Sequence, residues 1–138
     1  MPNQSFDSAR FLSEYWQKKP IVIRDFFDSF EDFVELTELQ QLAQEAAVES
    51  RLVRCNEDLG YQLQQGPFTV GELPSSQDSD WTLLIQAAEL WIPELQQLIE
   101  QFSFLPRWRI DDIMVSYAAS GGGVGPHFDQ YDVFLVHG

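Results

Sequence analysis

The reading turns on residues 121–138, GGGVGPHFDQYDVFLVHG. Gly121, Gly122, Gly123 and Gly125 lead to Pro126, then His127 and Asp129 open an apolar run. Such a stretch is a phosphate loop, a metal site, or a plain turn before a strand. A phosphate loop needs a Lys followed by Ser or Thr after its last glycine, and a helix whose first N–H groups face the anion. Here Pro126 and His127 follow Gly125, and the next residues alternate as a strand does. A dinucleotide fingerprint also needs a following helix. A nucleotide site is therefore set aside.

The metal reading fits the residue types better. On a strand, positions i and i+2 share a face, so the His127 imidazole and the Asp129 carboxylate project together. One imidazole and one carboxylate are two thirds of the facial triad of non-haem iron oxygenases, which leaves coordination positions open for co-substrate and dioxygen. The glycines allow a tight turn and a close backbone approach. Taken alone, an HxD tripeptide is most often a pair of surface polar residues; the glycine turn before it and the apolar run after it set this one apart. His137 is the only other histidine, ten residues past His127. On a continuous strand it would lie about 33 Å away at ~3.3 Å per residue, so it reads as incidental unless a second chain supplies it.

Working outward, residues 6–16 read as a helix capped by Asp7 or Ser8, with Phe11, Leu12, Tyr15 and Trp16 on one face. Residues 20–26 (PIVIRDF) read as a short buried strand. Residues 37–48 read as a helix opening on a capping box, Thr37 with Gln40. SRLVRC (50–55) and YQLQQGPF (61–68) read as strands around a polar turn at 56–60. WTLLIQ (81–86) reads as a strand and 87–102 as a helix that kinks or restarts at Pro93. WRIDDIMVSYAA (108–119) and HFDQYDVFLVH (127–137) read as the last strands. The class is α+β, helices first and strands concentrated at the end.

Composition narrows the function. The chain has 138 residues, 44% of them hydrophobic and 14% aromatic, enough for one domain with its own core. A formal net charge of -14 argues against phosphate-directed binding of nucleic acid and suits a basic protein partner. No apolar run is long enough to span a membrane, and no secretory signal opens the chain. Cys55 is the only cysteine, so there is no disulfide framework, and a cytoplasmic location is expected.

RIDDIMVSYAASGGGVGPHFDQYDVFLVHG (109–138), with YWQKKPIVIRDF, SRLVR, GPF, WTLLIQA and LPRWRIDDIMVSY in order before it, resembles the JmjC-type (cupin-4) ribosomal oxygenases of bacteria. The resemblance implies an Fe(II)- and 2-oxoglutarate-dependent protein hydroxylase, of the kind that 3-hydroxylates an arginine of a basic ribosomal protein. It implies a double-stranded β-helix of the jelly-roll or cupin type, incomplete here: residues 1–105 would form the helical and mixed lead-in, and 106–138 the first barrel strands. His127 and Asp129 match metal ligands, and Gly121, Gly122, Gly123, Gly125 and Pro126 match the loop that shapes the site. Tyr131, Ser116 and Tyr117 are candidates to line the substrate or co-substrate pocket. The family's distal metal histidine and its 2-oxoglutarate-binding cation match nothing in this chain. The expectation is therefore an amino-terminal portion of such an enzyme, inactive by itself and prone to self-associate into a homo-oligomer through the open edge of the 127–137 strand. Two alternatives stand beside it. One is a non-catalytic acidic interaction or dimerisation module that binds a basic protein. The other is a small metal protein that builds its site between two chains with His137.

Overall fold

The computed structural model describes residues 6–28 and 34–137. The elements are α1 (Ser8–Glu14), α2 (Leu36–Leu42), β1 (Ser50–Asn56), β2 (Gly60–Gln65), β3 (Trp81–Ile85), α3 (Glu94–Glu100) and β4 (Val115–Ala118), with short 3₁₀ turns at Val70–Glu72, Ala88–Leu90 and Arg107–Arg109. The class is α+β, built on an antiparallel sheet in the order β2-β1-β3-β4.

Local chemistry explains most of these boundaries. Asn56 Oδ1 accepts from the N–H groups of Asp58 at 2.9 Å and Leu59 at 3.3 Å, and Gly60 takes φ +70°. This asparagine-centred turn reverses the chain between β1 and β2. β3 is buried at all five positions, as expected for a central strand covered on both sides. Its core face, Trp81, Leu83 and Ile85, joins Leu52 of β1, Leu39 and Ala43 of the α2 region, and Ile92 and Leu95 near α3. Leu83 pairs across the ladders with Leu52 on one side and Tyr117 on the other. Helical structure restarts after Pro93, whose missing N–H costs nothing at a helix start. The 3₁₀ turn before it is stitched to the lead-in of β4: Glu89 Oε2 accepts from Ile113 N at 2.9 Å, and Asp112 Oδ2 from Ala87 N at 3.0 Å. Asp7 caps α1 by accepting from Arg10 N at 2.9 Å. Glu72 closes a capping box with Thr69, and the two Thr69 hydrogen bonds hold its carboxyl below the usual carboxylate range.

Several expectations need correction. Residues 21–26 form no strand, and Ile21 and Val22 are exposed; no described strand pairs with them. Thr37 lies inside α2, which is entered from Glu35 without a side-chain cap, and the helix ends at Leu42 instead of running to 48. Within 106–137 the only strand among the described residues is Val115–Ala118; residues 127–137 are irregular. The strands therefore occupy the middle of the chain more than its end. With no strand at 127–137 there is no strand edge there for self-association. An exposed edge does exist at β2, which is solvent-facing at every position from Gly60 to Gln65. No helix among the described residues is long and apolar enough to cross a membrane.

Candidate metal centre

The glycine loop leaves the sheet at the end of β4. Ala119 N donates to Trp81 O at 3.0 Å, and Asp80 N donates to Ser120 O at 2.8 Å, so the ladder is prolonged into the loop. The chain then turns on Gly121 at φ +76°, and Gly122 N donates to Ala119 O at 2.8 Å. A Cβ on Gly122 would fall on the Trp81 carbonyl and within 2.9 Å of the Ala119 carbonyl. Gly125, at φ +79°, lies against the Tyr61 ring of β2. Gly123 has open space around it. Three of the four glycines are thus required by turn geometry or close approach, and the fourth is not.

Beyond Pro126 the pair is brought together without a ladder. His127 Nε2 lies 3.8 Å from Asp129 Oδ1, with the two side chains 53% and 38% exposed. His127 Nδ1 is 2.9 Å from Gly125 O. A carbonyl only accepts, so Nδ1 carries the hydrogen of this contact, and Nε2 is the ring nitrogen that faces Asp129. This is the outer hydrogen bond that fixes the tautomer of metal-binding histidines. An imidazole nitrogen and a carboxylate oxygen at this separation suit two adjacent positions on one divalent ion. Among the described residues no group of three or more His, Cys, Asp and Glu converges to hold a metal.

The remaining candidates disperse. Tyr131 is 72% exposed. Ser116 is exposed on β4, while Tyr117, on the opposite face, stacks on Trp81 at 5.5 Å and belongs to the core. Two clefts among the described residues lie elsewhere, one bounded by α1 and residues 21–26, another by residues 55–58 and Asp80. His137 is exposed and lies outside the pair.

One feature had no signal in the sequence. Phe134 packs on residues distant in the chain: it stacks on Trp16 with ring centroids 5.7 Å apart and planes at 10°, and touches Phe102 at 4.9 Å and Phe11 at 5.9 Å. Gln17 Nε2 also donates to Asp132 Oδ2 at 3.2 Å. The aromatic side chains were visible, but periodicity carries no information on a pairing between opposite ends of a chain.

Comparison with known proteins places likenesses along most of the chain. Residues 97–138 match the JmjC domain family. Over 128 residues, 93% of its length, the chain is 44% identical to the ribosomal protein uL16 3-hydroxylase of Escherichia coli, and it is 44% identical over the same length to a protein of Haemophilus influenzae named "Probable ribosomal oxygenase". It spans about a third of those relatives, 34% and 31% of their lengths. Solved structures of the E. coli ribosomal oxygenase YcfD superpose with a TM-score of 0.83 at 40% identity, over 94% of this chain and 35% of that one; they include complexes with cobalt and 2-oxoglutarate and with cobalt and succinic acid. In sequence and in backbone alike, this chain resembles the JmjC-type bacterial ribosomal oxygenases.

Proposed function

We propose that this chain carries the His127–Asp129 half of the iron(II) site of a 2-oxoglutarate-dependent ribosomal protein hydroxylase. The observation that supports it is the imidazole–carboxylate pair at 3.8 Å, its tautomer set by Gly125 O, inside a segment that matches the JmjC domain. Iron(II), when bound with 2-oxoglutarate and dioxygen, supplies the oxidising power for hydroxylation of an unactivated carbon. The chain's own part is to offer one neutral nitrogen donor and one anionic oxygen donor and to keep them on the same side of the backbone. Residues 1–105 would be the lead-in, 106–138 the first portion of the barrel, and the glycine loop 121–126 the approach to the metal. Tyr131 and Ser116 stay candidates for the pocket; Tyr117 would act from beneath it, through the core.

The substrate we infer is a basic ribosomal protein, with arginine as the hydroxylated residue and the cytoplasm as the location. A net charge of -14 favours encounter with such a partner. The named relatives support this class: one is a hydroxylase of ribosomal protein uL16.

Cobalt(II) titration followed by visible absorption tests the site. His127→Ala and Asp129→Ala should each abolish the ligand-field bands seen with the wild-type chain. Equal cobalt binding by the wild type and both variants would overturn the proposal, and a basic peptide bound as well without metal as with it would favour an acidic interaction module instead.

A further inference from the structure

The metal pair lies on a segment that the sheet does not hold. Among the described residues, no backbone–backbone hydrogen bond ties residues 123–137 to any strand. The upstream end is fixed: Ser120 O is bonded to Asp80 N, Gly122 rests on the Trp81 carbonyl, and Gly125 abuts Tyr61. The downstream end is fixed by side chains alone. Phe134 is stacked on Trp16 at 5.7 Å, and Trp16 also receives the Arg109 guanidinium at 5.7 Å from its ring. Phe102, at 4.9 Å from Phe134, and the Gln17–Asp132 hydrogen bond at 3.2 Å complete the attachment. Between these two anchors His127 and Asp129 contact only Gly125 and each other among the hydrogen bonds and ion pairs of the described residues.

We propose that Trp16 and Phe134 are positioning residues for the metal pair: their stacked rings fasten the downstream end of the segment to the turn that follows α1, and so set where His127 and Asp129 stand relative to the sheet. This rests on the metal reading of the pair. A segment without ladder bonds takes its place from its end points, so releasing one end lets the ligand pair sample geometries in which the two donors no longer face one ion. Groups that orient metal ligands from outside the coordination sphere commonly change metal affinity by about 10- to 100-fold.

The test pairs two readouts on the full 138-residue chain. In the metal-free protein, backbone ¹⁵N order parameters for residues 127–133 should fall from the rigid range near about 0.85 to below about 0.6 in Trp16→Ala and Phe134→Ala. In cobalt(II) titrations the same variants should bind roughly tenfold more weakly. Trp16→Phe keeps a stacking ring and should restore both readouts. Val70→Ala removes an apolar side chain that is 73% exposed and distant from both anchors, and should change neither. Phe134→Leu keeps apolar bulk without the stack; it should behave as the alanine variant does, and it serves where Phe134→Ala does not fold. Cobalt binding that needs His127 but is indifferent to Trp16 and Phe134 overturns the positioning role alone. Cobalt binding indifferent to His127 overturns the metal reading beneath it.

Discussion

At the scale of single residues, the glycine loop divides into positions that need glycine and one that does not. Gly122 has an ordinary φ, so its requirement is steric: a methyl group there meets two backbone carbonyls, Trp81 and Ala119, neither of which can swing aside. Gly122→Ala should lower stability by about 1–3 kcal/mol, the usual range for overpacking. Gly123→Ala, with nothing within 4 Å, should fall within about 0.5 kcal/mol of wild type. Urea denaturation of the two variants gives the comparison, and equal midpoints would mean that Gly122 does not lie against the sheet. The sequence pointed to this loop as a whole, yet it could not rank its members, because deciding contacts come from residues far earlier in the chain, Trp81 of β3 at Gly122 and Tyr61 of β2 at Gly125.

At the scale of elements, what was legible is what short-range chemistry decides. The turn at 56–60, the apolar run at 81–85 and the restart at Pro93 all rest on residues that act on their neighbours: an asparagine side chain, a block of β-branched and leucine side chains, a missing N–H. The failures share a cause as well. PIVIRDF and HFDQYDVFLVH carry the composition of strands, but a strand is a pairing, and pairing depends on what stands alongside. Without a partner ladder, both stay irregular. The same contrast between central and edge position governs energetics. Leu83→Ala, at a fully buried site between Leu52 and Tyr117, should cost about 2–5 kcal/mol. Leu63→Ala, 61% exposed on the β2 edge, should stay within about 0.5 kcal/mol. Thermal or urea unfolding of both variants measures the difference; a large loss at Leu63 would show that the β2 face is covered in solution.

At the scale of the whole molecule, the HxD pair was readable as a pair, since proximity in sequence was enough to bring imidazole and carboxylate together. The attachment of its segment was not, because Trp16 and Phe134 meet only when the ends of the chain do. On the proposed metal reading, the described residues offer two protein donors, which hold a metal more weakly and fix its open positions less well than three would. The 138-residue polypeptide, supplied with iron(II), 2-oxoglutarate and a basic peptide, is therefore expected to release no succinate above background. Sustained turnover at the mass of this chain would mean that a third ligand is recruited from outside the described residues. The Trp16–Phe134 stack also has a kinetic meaning. It closes a loop of nearly the whole sequence, and contacts of long sequence separation form late because chain entropy must be lost before they reward it. Loop entropy therefore favours pairing of the hairpin and β3 before docking of the tail. The 127–134 segment is then expected to reach its place late in folding, and on the ribosome no earlier than the emergence of Phe134.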